Sequence, residues 1–101
     1  MVLGHELCGA VKAAVEVVEH NATFPGAIGA IVNPIIPAVL QAKGDPGDLV
    51  DNAVRANVRQ VVARLRTTGP ILSEAIETGR LKIVGARYDL DDGSVDFFDE
   101  A

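Results

Sequence analysis

The chain is 101 residues long, enough for one domain with a single buried core and too short for two. Hydrophobic residues make up 49% and charged residues 23%, close to the globular average, which excludes an extensively disordered chain, a collagen-like repeat and a coiled-coil rod. Nine Lys and Arg against fourteen Asp and Glu leave a net charge of −5, so neither a nucleic-acid backbone nor an anionic membrane surface is expected as a partner.

Residues 1–4 read as a short apolar strand that runs into a loop at His5,. Over residues 9–19, Val11, Ala14, Val15 and Val18 recur at helical spacing, with Lys12, Glu16 and Glu19 on the other face and Cys8 at the mouth of the helix,. After a turn-rich stretch at 21–29, a broad apolar helical face carries Ile28, Ile31, Val32, Ile35, Ile36, Val39 and Leu40. Pro34 and Pro37 interrupt it, so a kink or two shorter pieces are expected,. Residues 24–42 are about as long as a membrane span, but Pro25, Asn33, Pro34 and Pro37 argue against a lipid-facing helix,. Asp45-Pro46-Gly47-Asp48 signals a helix start, with Asp45 as the capping residue and Pro46 in the first turn. A long helix over Leu49–Arg66 follows, then a short one opened by Gly69-Pro70 and closed at Gly79,. Residues 81–90 read as a strand covered on both faces, Asp91-Asp92-Gly93 as a turn, and residues 94–98 as an edge strand,. The fold class expected is α/β: a mainly parallel sheet flanked by helices, with an antiparallel C-terminal edge strand, in one domain over residues 1–101.

Cys8 is the single cysteine and has no internal disulfide partner. That composition fits a reducing cytoplasm, and the opening Met1-Val2-Leu3-Gly4 lacks the basic and long apolar regions of a signal peptide. The chemistry concentrates in His5-Glu6-Leu7-Cys8, where an imidazole and a thiol three residues apart lie between a strand end and a helix start. Zinc accepts both donors, and the positive helix end favours the thiolate form. Taken alone, the pair also reads as a polar loop residue and a small core residue. Glu6 is expected to be an exposed loop carboxylate and His20 a solvated helix end. Asp89, Asp91 and Asp92 lack EF-hand spacing and read as turn formers, and Arg55 is four residues from Asp51, placed to pair with it.

Residues 4–14, Gly-His-Glu-Leu-Cys-Gly-Ala-Val-Lys-Ala-Ala, closely resemble the second zinc-ligand segment of the β-class carbonic anhydrases. Two further blocks agree in order: residues 51–58, Asp-Asn-Ala-Val-Arg-Ala-Asn-Val, resemble that family's long helix, and residues 81–93 resemble its following strand and hairpin. The resemblance covers essentially this whole chain and about the second half of a family member. It implies His5 and Cys8 as zinc ligands, Gly9 as the first residue of the helix beside the metal, Zn2+ as cofactor, and reversible hydration of carbon dioxide to bicarbonate. The family's other motif, Cys-x-Asp-x-Arg on a neighbouring strand, has no counterpart here, leaving two donors where a catalytic zinc site has three. Two readings follow: the second segment of a carbonic anhydrase, or a truncated non-catalytic relative serving as a structural or interaction fragment. The strand margin left open implies association, either as a homo-oligomer or with the missing N-terminal segment.

Overall fold

The computed structural model describes residues 1–99; residues 100 and 101, the end of the expected domain span, lie outside the described residues. In chain order the elements are β1 (Val2–His5), α1 (Gly9–His20), α2 (Gly26–Val32), a 3-10 turn (Asn33–Ile35), α3 (Ile36–Ala42), α4 (Leu49–Arg66), α5 (Gly69–Glu77), β2 (Gly85–Tyr88) and β3 (Val95–Asp99). The strands form one sheet in the order β1-β2-β3. β1 runs parallel to β2, with Val2 opposite Gly85 and His5 opposite Tyr88. β3 returns antiparallel on the far side of β2. The class is α/β with the antiparallel C-terminal edge as expected, and the sheet is small and mixed, its parallel part being a single strand pair.

Each break in the helical region has a local cause. Pro34 and Pro37 both fall in first turns, of the 3-10 turn and of α3, where a missing amide donor costs no intrahelical bond,. The expected apolar face is therefore divided into short pieces. Val32, Ile35 and Val39 turn inward, while Ile28, Ile31 and Leu40 remain exposed. The cap of α4 is Asp48, whose carboxylate accepts the Asp51 N–H at 2.9 Å, and not Asp45. Pro46 lies ahead of the helix, its carbonyl accepting from Asn52 Nδ2 at 3.1 Å. At the end of α5, Gly79 adopts φ 78° while Gly79 N and Arg80 N donate to the Ile76 and Ala75 carbonyls. This paired closure needs a left-handed residue, which glycine supplies without steric cost.

The strand expected over 81–90 is shorter than the apolar pattern suggested. Val84 still receives the Val2 N–H on its carbonyl at 2.8 Å, but the Ile83 carbonyl is taken by Arg66 NH2 at 3.1 Å instead of by a neighbouring strand. Beyond Tyr88, Asp89 already belongs to the turn, closing on Ser94 and Gly93 through backbone bonds of 2.9 Å each.

α4 is the hub of the packing. Its Ala53, Val54 and Ala56 are buried in a cluster with Val11 and Ala14 of α1 and with Ala38, Val39 and Ala42 of α3. Its Val58 and Val62 form a second cluster with Ile83, flanked by Val2, Leu65, Ile76 and Phe98. The core is built of small residues, with Val32, Val39 and Val62 the largest that are fully buried. A register irregularity at Gly85/Ala86 lets β3 place Phe98 on the α4 side, where Arg55 and Arg59 lie over its ring at 5.1 and 4.9 Å from the centroid,.

Candidate metal centre

β1 delivers His5 to the end of the sheet, and three residues later α1 begins. The intervening loop is tied at Glu6 and Cys8. Glu6 N donates to the Tyr88 carbonyl at 3.1 Å, extending the β1–β2 pairing by one bond. Leu7 sits in the left-handed region at φ 57°. Cys8 precedes α1 with an extended backbone (φ −61°, ψ 120°), and its carbonyl accepts the Lys12 N–H at 2.9 Å. Its side chain makes no capping bond, so the thiol is not spent on the helix end.

His5 Nδ1 lies 2.8 Å from the Glu6 carbonyl oxygen. A carbonyl only accepts, so Nδ1 carries the proton in that bond, and in the neutral ring Nε2 presents its lone pair. His5 and Cys8 line the same cavity of about 140 Å³, between β1, the start of α1 and the middle of α4. Its remaining walls are mostly apolar, with Val11, Val54, Val58 and Val61 among them, and Asn57 supplies the one further polar side chain. The sequence reading missed Asn57. Its signal was present in the spacing: Val54, Asn57, Val58 and Val61 fall on one side of a 3.6-residue helix, so a lone amide interrupts an apolar row.

Glu6 is not the exposed loop carboxylate expected: its side chain is 15% exposed. Glu6 Oε1 accepts the backbone N–H groups of Leu90 and Asp91 across the chain, while Oε2 lies 3.5 Å from Arg87 NH2. Arg87, also largely shielded, pairs with Asp51 of α4 through Nε and with Asp89 through NH1 at 3.6 Å. Burial alone would lower the affinity of this guanidinium for its proton, but the hydrogen bond it donates to Asp51 and the charges of Asp51, Glu6 and Asp89 together outweigh it and raise the pKa,. Asp89 is shifted below the ordinary aspartate range. The Asp91 N–H bond is the largest cause and burial opposes it, with Glu6, the Asp92 N–H and the Arg87 charge adding to the downward shift.

Glu6, Asp89 and Asp91 place carboxylate oxygens within 4.8 Å of one another, but Glu6 Oε1 and Asp89 Oδ1 are engaged by backbone N–H groups of the turn. Asp89 Oδ1 accepts the Asp91 N–H and Asp92 Oδ1 the Ser94 N–H, both at 2.8 Å. The turn-forming role expected of these aspartates holds. His20 is exposed at the far end of α1, with Nδ1 3.0 Å from Glu16 Oε2, about 18 Å of helix away from Cys8. Arg55 lies 3.8 Å from Asp51 as its spacing suggested, and makes a closer pair of 3.0 Å with Asp96.

Imidazole nitrogen and thiolate are both zinc donors, so His5 and Cys8 fit zinc in kind. In number they fall one short of a three-ligand catalytic site, since the chain holds one cysteine and its other histidine is remote. The carbonic anhydrase family profile matches residues 1–95. The chain belongs to the β-class carbonic anhydrase family. Carbonic anhydrase 2 of Mycobacterium tuberculosis is 39% identical over 94 residues, covering 92% of this chain and 45% of that protein. The carbonic anhydrase of Mycolicibacterium smegmatis is 31% identical over 96 residues, covering 95% of this chain and 47% of that protein. The chain thus spans about half the length of these relatives. Among solved structures, a tetrameric β-carbonic anhydrase of the ascomycete Sordaria macrospora superposes with a TM-score of 0.76 at 22% identity, over 95% of this chain and 49% of that one. The β-carbonic anhydrase CcaA superposes with a TM-score of 0.71, also at 22% identity, over 99% of this chain and 50% of that one. Within this β-carbonic anhydrase fold, no helix among the described residues is long and apolar enough to cross a membrane.

Proposed function

We propose that residues 1–101 form the zinc-holding second half of a β-carbonic anhydrase that interconverts carbon dioxide and bicarbonate. His5 Nε2 and Cys8 Sγ serve as two zinc ligands, and polypeptide outside these residues supplies the remaining donors. The observation that carries this reading is the common cavity of His5 and Cys8, combined with a His5 ring whose Nδ1–H is already committed to a carbonyl. A histidine ligand characteristically has its second ring nitrogen held in this way. The chemistry that zinc supplies in such a site is activation of water near neutral pH for attack on carbon dioxide. The chain's own residues orient the two donors, and Val11 of α1 with Val54, Val58 and Val61 of α4 gives the cavity beside them mostly apolar walls. Asn57 offers the one additional hydrogen-bonding side chain in the cavity wall.

A single cysteine with no internal disulfide partner suits a reducing cytoplasm,. Assembly with further copies of the chain fits the edge of β1, which has no partner among the described residues, and the tetrameric relative. The donor count of two favours a second reading, in which the 101 residues by themselves are a non-catalytic structural or interaction fragment. Zinc content and stopped-flow hydration of carbon dioxide separate the two, measured on the chain alone and together with a segment bearing Cys-x-Asp-x-Arg. Zinc-dependent hydration that appears on complementation and is lost in His5→Ala and Cys8→Ala supports the enzyme. A complemented, folded complex that holds zinc without hydrating carbon dioxide supports the second reading.

A further inference from the structure

Between the two candidate ligands the chain takes a strained course. Leu7 is left-handed at φ 57°, a conformation that is unfavourable for an L-residue with a Cβ and persists where the surroundings over-determine it. The clamp on this loop is Glu6. Its backbone N–H is held by Tyr88, its carboxylate receives two backbone N–H groups from the β2–β3 hairpin, and its carbonyl holds the His5 ring. Arg87 closes the arrangement. One guanidinium reaches Glu6, Asp89 and Asp51, and so ties the loop to the hairpin and to α4, the same helix that walls the cavity through Val54, Asn57 and Val58.

We propose that the Glu6–Arg87 pair is a positioning device for the metal centre: it fixes the Glu6 main chain so that its carbonyl holds His5 Nδ1–H and Nε2 is presented to the cavity beside Cys8. The zinc part of this proposal rests on the function proposed above, whereas the control of the His5 ring does not. Three carboxylates converge on Arg87, and removing its fork leaves Glu6 beside Asp89 with no cation between them. The loop then loses the contact that offsets the strain at Leu7, and the His5 ring is released.

The test is 15N NMR of the imidazole nitrogens in the wild-type chain and in Arg87→Met, above the pH at which the imidazoles titrate. His20, whose Nδ1 lies 3.0 Å from Glu16 Oε2 at the far end of α1, is the internal control whose signals should be the same in both proteins. Wild-type His5 should show the Nδ1–H form. In Arg87→Met it should move to a mixture with the Nε2–H form that free histidine favours, and the zinc dissociation constant from chelator competition should rise about ten- to a hundredfold, as for other residues that orient a ligand. Val62→Ala, which weakens the core away from the loop, should lower the melting temperature and leave the His5 tautomer unchanged. A folded Arg87→Met chain that keeps the Nδ1–H form overturns the proposal. A tautomer shift in a chain whose wild type binds no zinc upholds the positioning role and removes the zinc reading instead. If Arg87→Met does not fold, Glu6→Gln replaces it: the amide oxygen still accepts from Leu90 and Asp91 while the charge facing Arg87 is gone, and an unchanged His5 tautomer there overturns the proposal equally.

Discussion

Val58 of α4 occupies the space a side chain at Gly4 would need: a Cβ built on Gly4 would stand 2.7 Å from Val58 Cγ2. The same valine bars a side chain at Gly85, at 2.8 Å from its Cγ1. Two glycines that meet the same α4 valine from adjacent parallel strands thus let α4 settle close onto the sheet, and this approach brings the Val54–Val61 row against the cavity shared by His5 and Cys8. Gly4→Ala is expected to destabilise the fold by about 1–3 kcal/mol through overpacking. Adding Val58→Ala should recover part of that loss, giving a non-additive pair in urea unfolding. Additive effects would show that the close approach is not the reason for glycine at this position.

Asp89 links stability to acid. Its folded pKa lies below the ordinary aspartate value of 3.8, so its contribution is present above that value and disappears as pH falls through the lower folded one. Arg87 is raised above the ordinary guanidinium value; its contribution is complete below that value and is lost only at more alkaline pH, leaving no slope near neutrality. Thermal melts at neutral pH should therefore find the wild type more stable than Asp89→Asn, which keeps an acceptor for the Asp91 N–H but cannot ionise. The gap should close in strongly acidic buffer. An equal gap at both pH values would remove Asp89 from the acid response.

Asp48→Ala should cost about 0.5–2 kcal/mol, because the Asp51 N–H loses its side-chain acceptor at the start of α4,. Asp45→Ala should cost much less, since Asp45 does not cap the helix. Circular dichroism melts of the two variants test the assignment of the cap directly.

One face of the sheet is covered by α4, while the side that carries Leu3 and Phe97 is open, at 47% and 49% exposure. Among the described residues β1 pairs only with β2, so one edge also offers free backbone groups,. Size-exclusion chromatography with light scattering should find the chain associating as concentration rises, and Leu3→Lys should reduce that association. A monomer at all concentrations would show that neither the edge nor the open face recruits a partner.

Much of the fold was legible because its signals are local. The α4 boundaries follow from its periodic valines, the divided α2–α3 region from two prolines, and the end of α5 from Gly79. The donor pair was equally visible, since His5 and Cys8 lie within four residues of chain. Other features depended on partners far away in sequence. Glu6 became a clamp because residues 84 and 85 positions later offer it two N–H groups, and the strand expected over 81–90 was shortened because Arg66 takes the Ile83 carbonyl.

By itself the sequence determined the class of elements, their order and the chemical nature of the two donors, because hydrophobic period, capping and turn chemistry act over a few residues. Only the tertiary structure decided that the two donors share a cavity walled by α4, that Arg87 binds three carboxylates, and that Phe98 rather than Phe97 packs inward. Each of these requires surfaces distant in the chain to meet, and close packing admits a contact only when the small residues opposite, Gly4 and Gly85 among them, leave room for it.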